Sequence, residues 1–286
     1  MSSERSLREM MSLDGRVAVV TGGVGHIGRA IADGLAELGA AIALVDIAAS
    51  AGKEVASELM KSRGAKAEMF DCDFEQGEVV KDLPRRVREA FGGIDIIVNC
   101  AAFVGTSGLQ GWAAPFEQQS DVTWRRALEV NLTAPFVLVQ AAAEDLARSG
   151  HGSVINISSI YGLSGPDWRL YEGTSLGNPA AYAASKGGLI QMTRWLATTM
   201  APKVRVNAVA PGTVDTPWVG RLLDAAADPA AERAALQARQ PSGRLVTADE
   251  VAHAVCYLAS PLSGSTAGTV LAVDGGMYGL RLRPPS

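Results

Sequence analysis

The stretch VAVVTGGVGHIGRAIADGLAELG, residues 17–39, decides how the rest of the chain is read. Its first five residues are a short apolar run of strand type, and Ile27, Ile31, Leu35 and Leu38 then recur at helical spacing. Between the two lies a turn containing Gly22, Gly25 and Gly28. Glycines there let backbone amides approach an anion, and a helix beginning near Ile27 aims its positive end at the same point. Strand, glycine turn and helix in that order are the context a dinucleotide pyrophosphate requires.

Outward from this turn, the second apolar run, residues 41–46, ends in Asp46, 24 residues after Gly22. A carboxylate at that place can bind both adenosine ribose hydroxyls and repels a 2'-phosphate. No arginine or lysine follows until Lys53, so NAD is expected over NADP. The alternative is that Asp46 is a turn residue or a helix cap.

Further apolar runs occupy residues 67–71, 94–99, 153–158, 205–210 and 269–273, with helical periodicity over 50–63, 124–148, 181–200 and 248–259. Alternating strands and helices predict an α/β fold, a single-domain Rossmann fold whose doubly wound, mostly parallel sheet has about seven strands and helices on both faces. The domain is expected over residues 13–280, after a polar extension at 1–12 and before a tail at 281–286. Ligands in such sheets bind beyond the carboxyl ends of the strands. Three irregular stretches follow strands four, five and six, at 103–120, 161–180 and 216–244, and are expected to form a substrate pocket on that rim.

Composition narrows the classes of function. A chain of 286 residues with one core buries roughly three quarters of its unfolded surface. No apolar run approaches the roughly 20 residues of a membrane helix, and the polar start lacks the apolar centre of a signal peptide. A cytoplasmic protein without a membrane partner is expected. Net charge is −4 with no basic stripe, which argues against nucleic acid. The three cysteines, Cys72, Cys100 and Cys256, have no paired spacing for a disulfide or for zinc, so no metal is expected.

The sharpest local feature is YAASK, with Tyr182 and Lys186 four apart in a helical segment. That spacing puts them on one helix face, where an ammonium favours phenolate. Lowering a tyrosine pKa from about 10 to about 7 needs roughly 4 kcal/mol of differential stabilisation. A lysine and a positive nicotinamide ring in a dry site can together supply it. Such a phenol exchanges a proton with a hydroxyl or carbonyl group. Upstream, Ser158 and Ser159 end a strand-like run and offer hydroxyls for the reacting oxygen. Asn131 is polar amid apolar neighbours; it can bend its helix and hold a relay water, or be hydrogen-bonded within the core.

Taken together, TGGVGHIG, DCDF, NCAA, VNLTAPF, NISS, YAASK, RVNAVAPGTVDTP and VLAVDGG occur in an order that resembles the short-chain dehydrogenase/reductase family over nearly the whole chain. The resemblance implies hydride transfer between nicotinamide and a secondary alcohol or its ketone. Tyr182 would be the acid/base, Lys186 its electrostatic partner and ribose ligand, Ser159 the holder of the substrate oxygen and Asn131 the relay residue. At the adenosine end it implies Asp46 with Ile47, and Asp73 with Phe74. Asn99 and Ala101 would run along the cofactor, and Pro211, Gly212, Val214 and Thr216 would reach the nicotinamide end. A homotetramer, packed through helices at 124–148 and 181–200, is the family expectation.

Three departures qualify the resemblance. The glycine register matches the extended branch, which includes nucleotide-sugar epimerases and dehydratases, because His26 replaces a glycine usual in the classical branch. The chain is too short for the extended branch's larger substrate domain, and its closing VDGG looks classical, so His26 is expected to line the phosphate or ribose region and tune NAD affinity. Ala102 replaces a customary glycine. Ser159 and Tyr182 stand 23 residues apart, where about a dozen is usual, and the insert between them carries Asp167, Trp168, Arg169, Tyr171 and Glu172. Trp168, Arg169 and Tyr171, with Trp218 as a lid residue, are the candidate substrate contacts. Charged and aromatic groups together suit a sugar-like or other polar substrate; the alternative is a loop that packs against a neighbouring subunit. A non-catalytic NAD-binding regulator is the reading from another class.

Overall fold

The structure, a computed structural model, describes residues 6–104, 109–166, 168, 177–224 and 228–279. The short helix α1 (Leu7–Met11) opens on a reciprocal capping box between Ser6 and Glu9. Then follow β1 (Val17–Thr21), α2 (His26–Glu37), β2 (Ala41–Asp46), α3 (Ala49–Arg63), β3 (Ala67–Asp71), α4 (Gly77–Phe91) and β4 (Ile96–Asn99). Next come α5 (Asp121–Leu128), a π-helical turn (Glu129–Thr133), α6 (Ala134–Ala141), α7 (Ala143–Ser149) and β5 (Gly152–Ile157). The chain continues through α8 (Ala180–Met200), β6 (Val204–Pro211), α9 (Pro217–Asp224), α10 (Pro229–Ala238), α11 (Ala248–Ala259) and β7 (Val270–Val273).

The seven strands form one sheet in the order β3-β2-β1-β4-β5-β6-β7, and every neighbouring pair is parallel. Continuous apolar strands permit this, because both faces are covered. Ala18 and Val20 of β1 join a core with Ile31 and Leu35 of α2 and Val251 and Val255 of α11. Val17 and Val19 point the other way, into a core with Val80 of α4, Leu138 of α6 and Leu196 of α8. Burying each such large aliphatic side chain contributes about 1.5–3 kcal/mol. With both faces sealed, the ends of the strands are what remains for binding. Strand order reverses between β1 and β4, so the turns after these two neighbours flank a crevice.

Two stretches fold differently from the expectation. Within 216–244, where a loop is expected, the described residues include α9 and α10. The signal is present in DPAAERAALQA: Asp228 caps the amides of Ala230 and Ala231, and Pro229 sits at the first helical position. Residues 124–148 are three helices and a π turn in place of one helix. No described helix is long and apolar enough to cross a membrane. Among the described residues, no group of three His, Cys, Asp or Glu could hold a metal ion.

Candidate active site

The turn after β1 is shaped by close contacts that exclude side chains. Gly22 has φ +66°, and a Cβ on it would come within 2.8 Å of the Ala101 Cα. At Gly28 a Cβ would lie 2.1 Å from the Gly22 carbonyl oxygen, so the first turn of α2 is pressed onto the strand end. Gly25 is the N-cap of α2 and His26 its first residue, both exposed. Gly23, which the glycine pattern does not single out, is equally constrained: a Cβ would lie 2.7 Å from Leu44. The helix start thus presents an open backbone surface, a cradle that fits a pyrophosphate.

Beside it, the Asp46 carboxylate accepts the Val24 amide at 3.2 Å and the Ile47 amide at 2.8 Å. The structure shows Asp46 as a turn residue. It caps its own turn, which fixes the carboxylate, and it stays partly exposed with lone pairs to spare. Ile47 is exposed, and Asp73 is exposed at the head of the turn after β3. Phe74, expected beside them, turns its ring into the second core and leaves only its backbone near the rim. Thr21 Oγ1 accepts the amides of Cys100 and Ala101, each at 3.0 Å, which ties β1 to the segment after β4. Asn99 is buried and donates to Asn156 at 2.8 Å. Ala102 needs no glycine, because among the described residues only glycines have positive φ.

Across the crevice, β5 and α8 bring the reactive groups together. Lys186 is buried, its Nζ donating to the Ile157 carbonyl at 2.8 Å and lying 5.6 Å from the centre of the Tyr182 ring. Ser159 hydrogen-bonds the Tyr182 phenol, a contact that pulls the phenol pKa down, although burial outweighs it and holds the value above the ordinary one. Burial also lowers the Lys186 ammonium to about 8. Desolvation is thus the dominant influence on both groups. Ser158 separates from Ser159: its hydroxyl donates to the Lys186 carbonyl at 2.9 Å and is taken up in packing. Cys100 stands by the same ammonium, its thiol pushed up to about 12 by burial.

Asn131 lies in the π turn, a distortion that frequently marks functional positions. Its Oδ1 accepts the Phe103 amide at 2.6 Å, and its Nδ2 donates to Ser185 Oγ at 3.0 Å. Gly188 on α8 permits the approach, since a Cβ there would lie 2.8 Å from Leu132. Gln119, invisible in the sequence, accepts the Ala180 amide at 2.9 Å and donates to the carbonyls of Ala114 and Asn178. It clasps the start of α8 two residues before Tyr182.

At the far end, Pro211 closes β6, and the Gly212 amide donates to Val273 at 2.9 Å. Val214 bridges to Val246, and Thr216 Oγ1 accepts the Val219 amide at the start of α9. Trp168 is 58% exposed. Asp167, Arg169, Tyr171 and Glu172 lie outside the described residues, as does the side chain of Trp218.

A family model described as enoyl-(acyl carrier protein) reductase matches residues 23–278. Cis-4-hydroxycyclohexanecarboxylate dehydrogenase of Sinomonas cyclohexanicum is 37% identical over 262 residues, 91% of this chain and 96% of that protein. Among solved structures, one from Beutenbergia cavernae, provisionally named an NAD(P)-dependent gluconate 5-dehydrogenase and holding NADP at low occupancy, superimposes with a TM-score of 0.81 at 34% identity, covering 94% of this chain and 99% of that one. NAD+-bound xylitol dehydrogenase superimposes with a TM-score of 0.80 at 29% identity, covering 92% and 99%. The chain belongs to the short-chain dehydrogenase/reductase family and is an NAD(P)-dependent oxidoreductase acting on CH–OH groups.

Proposed function

We propose that this enzyme is an NAD-dependent dehydrogenase of the classical branch, oxidising a polar, sugar-like or cyclic secondary alcohol or reducing its ketone. The observation that carries the reading is the meeting of Ser159, Tyr182 and Lys186 at the carboxyl end of the sheet, opposite the glycine cradle. Gly22, Gly25, His26, Ile27 and Gly28 would hold the pyrophosphate of NAD, and Asp46 and Ile47 its adenosine ribose. Asp73, with the backbone of Phe74, would meet the adenine. Asn99, Ala101 and the segment from Pro211 through Gly212 and Val214 to Thr216 would line the rest. A bound dinucleotide would supply the hydride donor or acceptor and, when oxidised, a positive charge.

Ser159 holds the substrate oxygen, and the Tyr182 oxygen takes or gives its proton. Lys186, ionised below about 8, would stabilise the phenolate and hold the cofactor's ribose, and Asn131 would order the proton path behind it. Asp46, with its carboxylate fixed by the amides of Val24 and Ile47, supports NAD over NADP. Three relatives named for gluconate, xylitol and hydroxycyclohexanecarboxylate support a polyhydroxylated or carboxylated substrate. Exposed Trp124, Phe136 and Trp195 on α5, α6 and α8 support a homotetramer packed through these helices. Sedimentation should find no stable monomer.

The test is a screen of polyols, sugar acids and cyclic alcohols with NAD, following absorbance of the reduced nicotinamide. Tyr182→Phe should lower kcat by about 10³-fold and leave NADH affinity within about twofold; unchanged turnover would sink the assignment. One observation, the Gly22, Gly25 and Gly28 register, favours an extended-branch epimerase or dehydratase. That enzyme would regenerate its cofactor each turnover, so net NADH release separates the two.

A further inference from the structure

Away from the reacting groups, one set of side chains joins the adenine-side turn to the middle of the catalytic cluster. Arg126 on α5 forks onto Glu75, Nε 2.8 Å from Oε2 and Nη2 2.7 Å from Oε1. Glu75 belongs to the turn headed by Asp73, and its amide donates to the Asp73 carboxylate at 2.9 Å. The same guanidinium lies over the Phe103 ring, 5.0 Å from its centre, while Trp112 meets that ring edge-on at 5.0 Å. Phe103 in turn gives its amide to Asn131, Asn131 donates to Ser185, and Ser185 donates to the Tyr182 carbonyl at 2.8 Å. Residues from four separate stretches of chain are linked without a gap.

We propose that Arg126 is a positioning residue that couples the adenine-side turn to Asn131 through Phe103. The inference rests on the dinucleotide reading given above. Phe103 lies in a segment without helix or strand, so no ladder of backbone bonds holds the amide that Asn131 requires. Asn131 accepts the Phe103 amide and donates to the Phe103 carbonyl at 3.4 Å, and the ring, clamped between a guanidinium face and an indole edge, sets where that backbone lies. The guanidinium is fixed by the fork to Glu75, whose two parallel bonds set its plane. Arg126 and Glu75 are 43% and 31% exposed, a setting in which an ion pair contributes little to global stability. Orientation of Phe103 is the property the pair controls. Displacement of Glu75 when the adenosine end is filled or emptied therefore reaches Asn131 and the backbone of Tyr182.

The experiment is a double-mutant cycle on the full chain with Arg126→Met, Glu75→Gln and both together. NADH affinity by fluorescence titration, KM for NAD, kcat, and hydrogen exchange of the amides of residues 99–104 are measured for each. Each single variant should weaken NADH binding and lower kcat by about fivefold, the low end of typical coupling. Exchange at Phe103 should rise by a similar factor. The double variant should be no worse than either single one, because the pair acts as a unit. Arg126→Lys, which keeps a cation over the ring but loses the fork, should recover part of kcat. Additive losses, or weakened NADH binding with unchanged kcat and unchanged Phe103 exchange, would overturn the proposal. Should the wild type bind NADH yet turn over no alcohol, the functional reading fails while the affinity and exchange measurements still judge the coupling. Should it not bind NADH, the proposal falls with that reading.

Discussion

At the β1–α2 end of the crevice one contiguous stretch, residues 21–28, makes most of the site and packs on Ala101 and Leu44, whereas around Tyr182 the side chains arrive from five segments spread between residues 99 and 188. The first end is built from glycines whose missing Cβ atoms let Gly22, Gly28 and Ala101 touch. The second is built from polar groups that satisfy one another: buried Asn131 with Phe103 and Ser185, buried Lys186 with Ile157, and half-buried Gln119 with Ala180. A glycine cradle has no side-chain rotamers to order, and its backbone is fixed by those close contacts. A polar cluster is rigid only while every partner is present, since a buried group left unsatisfied costs about 1–3 kcal/mol. Substitutions at the two ends should therefore fail in different ways.

The largest contrast concerns charge. The catalytic end buries an ammonium, and the glycine end buries none. With the Lys186 pKa at about 8 in the folded chain, against about 10.4 unfolded, the unfolded chain binds the extra proton between these values. Stability must then rise with pH across that window, and the lysine contributes a penalty below it. Against Lys186→Met, the wild type should gain on the order of 3 kcal/mol between about pH 8 and pH 10. Burial of the thiols of Cys72 and Cys256 acts in the opposite direction at high pH, but in both proteins alike, whereas Cys100, beside the ammonium, loses a charge that favours its thiolate when Lys186 is replaced. Urea unfolding across the range checks this. A pH-independent difference would mean that Lys186 is not held as a buried cation.

Gly28→Ala probes the other end. Its Cβ would meet the Gly22 carbonyl at 2.1 Å, so the turn must open. NADH affinity should fall by about 100-fold, or about 2.7 kcal/mol. Gly162→Ala sharpens the comparison from the catalytic side. There a Cβ would lie 2.7 Å from the Lys186 carbonyl, forcing the Ser159 loop off α8. We expect kcat to drop about 30-fold with NADH affinity within about twofold. If Gly162→Ala weakened NADH binding as much as Gly28→Ala does, the two ends would not be separable.

The same division explains which parts of the molecule are legible in the sequence. The strand runs at 17–21, 41–46 and 67–71 coincide with β1, β2 and β3, and the helix expected at 248–259 is α11. Hydrophobic periodicity and turn glycines are local signals, and the cradle is a local object. Asn131 stands out because an amide among apolar residues is conspicuous, yet nothing near it in the chain names Phe103, 28 positions away, as its partner. Gln119, Glu75 and Arg126 are hidden for the same reason: polar residues in polar stretches look solvated until the fold brings their partners. Phe74 departs in the opposite sense, since adjacency to Asp73 says nothing about which side of the rim a ring takes.

The smallest effect we predict tests whether the insert between Ser159 and Tyr182 disturbs the catalytic geometry. Two contacts bracket it. Gly162 is pressed on Lys186 at its beginning, and Gln119 holds Asn178 and Ala180 at its end. With both in place, the start of α8 is set by residues outside the insert, and a longer connection does not loosen Tyr182. Gln119→Met keeps the bulk of the side chain and removes the bonds to Ala114, Asn178 and Ala180. At about 1 kcal/mol net for the part of this loss felt in the transition state, kcat should fall roughly fivefold while NADH affinity holds. Gln119→Glu keeps the acceptor for the Ala180 amide and loses the donors, so it should lie between Met and wild type. If Gln119→Met left kcat unchanged, α8 would be positioned by its packing on β6, α5, the π turn and Gly162, and the insert would be free to vary without the Gln119 clasp.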